Sequence, residues 1–225
     1  GYDATDTASE QPGCLKLFDL EDGELRDTKT ISPFGGLGFG ARHLDFHPNG
    51  NWFYLAIERQ NELHTFKIGD DGIADNPLFT TSTLSKPLQL GARQANSAIH
   101  LHPSGKFVYV SNRTYAAAPI NAGVIPNGED NIAVFEIDEI SFKPSLIQSV
   151  DTFGSLPRTF SIHKSGKMLV AANSEAARKL NFNGKATSLP LSLVSYEIAA
   201  NGKLALKQQI NFHAKDQLLF WAGFL

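Results

Sequence analysis

The sequence predicts an all-β fold, a β-propeller of four-stranded blades, on three observations. A unit of two short strands and a turn occurs three times. Each copy leads into a third strand that ends in an acidic or Asn-Gly turn. No stretch shows convincing amphipathic helical periodicity. The first copy covers residues 40–58 and turns at His47-Pro48-Asn49-Gly50. The second covers 97–113 and turns at His102-Pro103-Ser104-Gly105; the third covers 157–174 and turns at His163-Lys164-Ser165-Gly166. The turn glycines are 55 and 61 residues apart, somewhat more than the usual propeller blade of about 40–50. Four strands per repeat at this period favour a propeller over a sandwich.

In chain order, residues 1–13 are polar and read as a loop. Cys14-Leu15-Lys16-Leu17-Phe18-Asp19-Leu20 alternates as a strand into the turn Glu21-Asp22-Gly23, and 24–32 is a more polar strand. The same pair recurs after each copy. Leu63–Ile68 precedes Gly69-Asp70-Asp71-Gly72, Ile132–Ile137 precedes Asp138-Glu139, and Leu193–Ile198 precedes Asn201-Gly202. Phe18, Phe66, Phe135 and Tyr196 therefore share one repeated position. Outer strands are expected near 78–83, 145–152 and 204–212.

The chain thus reads as one partial domain over 1–225, about three and a half blades. The whole blades fall near 39–88, 89–152 and 153–212, with a half blade at 14–33 and a closing strand at 217–224. The half blade has no inner strands of its own, and an open propeller leaves sticky edges. Together with the start at Gly1, this leads us to expect further N-terminal blades of the same protein as a partner; oligomerisation is a second route to covered edges. Two inserts, 114–130 and 175–189, are rich in Ala, Asn, Gly and Pro. Loops of this kind over a rigid scaffold often carry recognition.

Bulk properties narrow the function. The formal charge of −3 and the lack of a basic run give no reason to expect nucleic acid. No apolar run approaches the about 20 residues of a membrane span, so no membrane partner is expected. The single cysteine, Cys14, excludes an intrachain disulfide and a Cys-cluster metal site and fits a reducing, cytoplasmic setting.

His47, His102 and His163 recur with the scaffold, and such residues hold turns more often than they do chemistry. His100 and His102, two apart, lack a third ligand for a metal. Residues 35–40 are glycine-rich but miss the phosphate-loop spacing. The informative positions are those where the repeat changes. Eight residues past the turn glycines stand Glu58, Arg113 and Ser174; eight before them stand Arg42, Ser97 and Arg158. A lone charge at a strand end is ordinarily just solvated. An acid and two arginines (Glu58, Arg42, Arg113) at equivalent rim positions of neighbouring blades point to a small anionic ligand.

These same residues carry a family resemblance. Gly38-Phe39-Gly40-Ala41-Arg42-His43-Leu44, then Phe46-His47-Pro48 and Gly50, resembles the G-x-G-P-R-H-x-x-F-H-P-x-G motif of the seven-bladed propeller lactonases. That family includes 6-phosphogluconolactonases and carboxymuconate cyclases. Tyr54–Glu58, Ile99–Arg113 and Pro157–Asn173 match three further motifs in order, and Phe220-Trp221-Ala222-Gly223-Phe224 is similar to a family C-terminus. The resemblance implies a seven-bladed parent with a channel site in which Glu58, Arg42 and Arg113 are catalytic. His43 and Arg158 would bind substrate, and neither metal nor cofactor is implied. It also implies a histidine in the blade before Arg42, whose inner strands this chain does not contain. Ala41 stands for the family proline and Ile57 for its asparagine, a change expected to loosen the positioning of Glu58. The expected activity is hydrolysis of a sugar-acid lactone such as 6-phosphogluconolactone by the full parent, the 225-residue piece alone being expected to be inactive. The alternatives are a muconate-type cycloisomerase on the same site, or a propeller that only binds ligands or proteins.

Overall fold

The structure, a computed structural model, describes residues 11–86, 93–115, 124–213 and 218–224. Among them, every regular element except a short 3-10 turn at Pro33–Gly36 is a β-strand. Strands β1 (Leu15–Glu21) and β2 (Glu24–Ile31) make a two-stranded antiparallel sheet. The first full sheet is β3 (Ala41–Phe46), β4 (Trp52–Ile57), β5 (Glu62–Gly69) and β7 (Phe79–Ser82), with β6 (Gly72–Ile73) also on β5. The second is β8 (Arg93–Leu101), β9 (Phe107–Tyr115), β10 (Asn131–Ile137) and β11 (Pro144–Asp151). The third is β12 (Ser155–Ile162), β13 (Met168–Glu175), β16 (Leu191–Ile198) and β17 (Leu204–Phe212). This is the propeller architecture that the repeat predicts. No helix among the described residues is long and apolar enough to cross a membrane.

Stacking sheet on sheet explains the odd composition of the second strands. Trp52-Phe53-Tyr54-Leu55-Ala56-Ile57 is buried at every position, because the sheet has a neighbour on each face. Phe53, Leu55 and Ile57 pack with Ile31, Phe39 and Phe66, backed by Leu15 and Leu17 of β1. Tyr54 and Ala56 face the second sheet, against Ile99, Val108 and Val110. Phe107, Tyr109 and Val134 in turn meet Phe160, Leu169 and Tyr196 of the third. The repeated aromatic position has a backbone counterpart. The pairing to the outer strand slips at Leu17/Phe18, Val134/Phe135 and Ser195/Tyr196, and such bulges add twist. Phe66, Phe135 and Tyr196 are fully buried, whereas Phe18, in the two-stranded sheet, is half exposed.

The turn histidines are staples between sheets. His47 Nε2 lies 3.0 Å from the Gly105 carbonyl, and His102 Nε2 lies 2.8 Å from the Gly166 carbonyl. Each Nδ1 accepts from its own turn, from Asn49 N at 3.2 Å and Ser104 N at 3.1 Å, so Nε2 carries the proton and donates. His102 therefore has both nitrogens engaged and no lone pair for a metal. Two tyrosines repeat the device: Tyr54 donates to Phe142 O at 2.9 Å, and Tyr109 to Gly202 O at 2.8 Å.

Two expectations are corrected. No closing strand forms over 218–224, and Gln217 lies outside the described residues. That segment makes one backbone bond to the third sheet, Leu219 N to Ser174 O at 3.1 Å, and its Phe224 ring meets His163 edge-on at 5.2 Å. The insert 175–189 is not a plain loop but the hairpin β14 (Ala177–Leu180) with β15 (Ala186–Leu189). It binds the other insert through Ile125 N to Arg178 O (2.7 Å) and Leu180 N to Ile125 O (2.8 Å). Residues 116–123 of that other insert lie outside the described residues. Lys179 joins the two through a buried ion pair with Asp130 and a 2.6 Å bond to Gly128 O.

Candidate active site

The inner strands β3, β8 and β12 lie side by side, so their ends away from the turns form one rim. At that rim each inner strand bulges in the same place. Ala41 pairs with Ile57 and His43 with Ala56, leaving Arg42 as the extra residue. Pro157 pairs with Asn173 and Thr159 with Ala172, leaving Arg158 extra. In β8 the slip falls between Asn96 and Ile99, around Ser97. A bulge breaks the two-residue alternation of a strand and re-aims a side chain. This is why the adjacent residues Arg42 and His43 both reach one cavity.

The structure brings Arg42, Glu58 and Arg113 together. Glu58 Oε1 accepts from Arg42 Nη1 at 3.0 Å and from Arg113 Nη2. Glu58 Oε2 has no protein donor among the described residues. The side chains of Arg42 and Glu58 are 16% and 27% exposed, and Arg113 is buried, so the cluster is shielded but not sealed. Burial draws the Arg42 pKa down, Glu58 opposes this, and the charges of Arg113 and Arg158 add to the lowering. Arg42 Nε is buried without a hydrogen-bond partner among the described residues. The substitution at Ile57 does not leave Glu58 adrift. Its N–H donates to Gly40 O and its carbonyl accepts from Asn96 N, both at 2.9 Å, while Ile57 fills the core beside Phe39.

His43 and Arg158 are not in that cluster but flank it. Together with Arg42, His100, Phe220 and Trp221 they line a cavity of about 270 Å³. Burial pushes the His43 pKa down, with a smaller push from the Arg42 and Arg158 charges, so the ring is neutral. Its Nδ1 faces the Ser97 carbonyl at 3.2 Å, which requires the proton there and leaves Nε2 an acceptor. His100, also lowered chiefly by burial, has Nδ1 3.9 Å from Asp45 Oδ2 and packs edge-on against Phe160. The cavity wall offers the guanidiniums of Arg42 and Arg158 and an imidazole acceptor, and Glu58 stands behind it, bonded to Arg42.

Comparison with known proteins now decides the family. A model described as lactonase, 7-bladed beta-propeller, matches residues 14–208. The chain belongs to this lactonase family. Among family relatives, it is 30% identical to a 6-phosphogluconolactonase of Bacillus subtilis over 181 residues, 78% of this chain and 47% of that protein. It is 31% identical to a 6-phosphogluconolactonase of Formosa agariphila over 76% of this chain and 43% of that one. A Lactobacillus plantarum crystal structure superposes with a TM-score of 0.66 at 25% identity, covering 86% of this chain and 48% of its own. The chain thus spans about half the length of these lactonase-family proteins.

Four residues near the site were not singled out from the sequence as site residues: Ser97, His100, Phe220 and Trp221. Ser97 had a signal, since it stands at the repeat position of Arg42 and Arg158. It is fully buried, and its hydroxyl donates to Arg158 O at 2.8 Å. A small residue between two arginines leaves the space that becomes the cavity. Phe220 and Trp221 had none, because nothing local says where an irregular tail will lie.

Proposed function

We propose that the protein hydrolyses a sugar-acid lactone, with 6-phosphogluconolactone the first substrate to test. One observation carries this reading: Glu58 is gripped through Oε1 by guanidiniums from two sheets, while Oε2 has no protein donor among the described residues. A carboxylate so fixed is suited to take a proton from water. Fixed guanidiniums beside it are suited to stabilise an oxyanion. In this scheme Glu58 Oε2 takes a proton from water as the oxygen attacks the lactone carbonyl carbon. The tetrahedral oxyanion forms against Arg42 and Arg113. Its collapse breaks the ring C–O bond, and the proton on Glu58 passes to the departing alkoxide, giving the hydroxy acid. His43 and Arg158, together with Arg42 on the cavity wall, position the substrate. A cytoplasmic setting belongs to the same proposal and rests on Cys14 being a free, exposed thiol.

The test is Glu58→Gln in the full-length protein that carries the expected N-terminal blades, assayed for proton release from freshly made 6-phosphogluconolactone. Removal of a general base should lower turnover by about 10²–10⁴-fold, with the circular-dichroism spectrum unchanged. Turnover within a few-fold of the parent would end the proposal. The second reading, a muconate-type cycloisomerisation, gains from Arg42 and Arg158 lining one cavity, as two carboxylates would require. Carboxymuconate converted in place of the lactone would select it.

A further inference from the structure

The segment 218–224 forms no strand, yet it is placed. Leu219 is bonded to Ser174, Phe224 sits on His163, and between them Phe220 and Trp221 form part of the cavity wall. Both aromatics are conspicuously solvent-facing, at 57% and 77% exposure, in a protein whose other tryptophan is buried. The Phe220 ring lies under the Arg158 guanidinium, 4.5 Å from its centre. Stacking on an aromatic face holds a guanidinium while leaving its N–H edge free to take an anion bidentately.

Charge points the same way. Arg42 and Arg113 share a single carboxylate, Glu58, and Arg158 has no acidic partner among the described residues. Arg158 thus brings to the cavity wall a guanidinium that no acid among the described residues neutralises. His43 is neutral, and Asp45 is turned to His100 and to the Leu101 N–H at 2.8 Å. The remaining wall is mostly apolar, from Leu44, Ala98 and Ile99, with Thr159 beside them.

We infer that Arg158, Phe220 and Trp221 form a second subsite. It takes an anionic group at the end of the substrate remote from the reacting carbonyl, with the carbon skeleton of the substrate laid against Trp221. The inference rests on the cavity being the substrate site. It goes further in assigning the tail a specificity role and in requiring a phosphorylated or carboxylated substrate over a neutral one. Tetrahedral C–H faces of a sugar ring and planar dienoic acids both stack on indole, so the anion is the selective element.

Trp221 supplies its own reporter once Trp52 is replaced by Phe. In that background, titration with 6-phosphogluconate should change Trp221 emission saturably. Gluconate, which lacks the phosphate, should bind at least about tenfold more weakly, as expected for loss of a charge-assisted bond. Arg158→Gln should remove that preference, and Phe220→Leu should reduce it while leaving the charge in place. Glu58→Gln should retain the emission change. Equal affinity for the two acids, an unaltered preference in Arg158→Gln, or silent emission on saturation would overturn the subsite. A protein that hydrolyses the lactone with silent Trp221 overturns the subsite alone. One that binds 6-phosphogluconate as described but shows no turnover overturns the hydrolase reading alone.

Discussion

The two ends of the inner strands are built by opposite rules. At the turn end, neutral groups repeat: His47 bonds to Gly105 and His102 to Gly166, with the same donor, acceptor and register each time. At the rim end the backbone repeats, a bulge in each inner strand, but the side chains differ: Arg42, Ser97 and Arg158 before the turns, Glu58, Arg113 and Ser174 after them. The turn end therefore serves packing, where every sheet has the same requirement. The rim end serves a ligand, which meets each sheet from a different side. Repetition of the side chain marks scaffold; repetition of the backbone with changed side chains marks the site.

The largest test of this contrast lies just behind the rim. Asp130 is buried, accepts from Thr114 N at 2.8 Å and Leu156 N at 3.0 Å, and pairs with buried Lys179. Asp130→Ala strands the lysine charge and should destabilise the protein by about 3–5 kcal/mol in urea titrations. A loss below about 1 kcal/mol would mean the inserts are not held to the sheets by this pair.

At the turn end, Gly166 and Gly50 provide a matched pair. Both have positive φ, 69° and 75°. A Cβ on Gly166 would fall 2.4 Å from His102 Nε2, whereas one on Gly50 meets nothing within 4 Å. Gly50→Ala should cost about 1–2 kcal/mol from the backbone alone, and Gly166→Ala measurably more, because it also disrupts the staple. Equal losses would show that the staple contributes nothing. On the same logic His102→Ala, which loses a bond to the next sheet, should cost about 1 kcal/mol more than His163→Ala, whose ring bonds within its own turn and meets Phe224 of the tail edge-on.

The smallest effect is a pH dependence confined to the rim. His43 and His100 have folded-state pKa values below the ordinary 6.5, chiefly through burial. The unfolded chain therefore binds more protons than the folded one as pH falls through 6.5. Stability should be fully present above that value and decline below it. His43→Gln should flatten the slope of unfolding free energy between about pH 6.5 and 5.

The strand order and the turn role of the histidines were legible in the sequence, since each follows from local periodicity and a turn motif of a few residues. So was the meeting of Arg42, Glu58 and Arg113, because equal spacing from the turn glycines places side chains at equal heights in stacked sheets. The hairpin 177–189 was less legible: its Ala, Asn and Gly content reads as loop, and its pairing with Ile125 joins distant segments. The tail was misread as a strand because an aromatic run of suitable length carries no information about whether a partner strand is in reach.

By itself, then, the sequence determined the repeat, the family and which rim positions depart from the scaffold. The tertiary structure decided which of those positions face the same space. A bulge at Arg42 and another at Arg158 turn residues that simple alternation would separate toward one cavity, and buried Ser97 between them leaves it open. Backbone slips of one residue, and the resting place of a tail without regular structure, depend on the balance of contacts across several sheets. No local pattern encodes that balance.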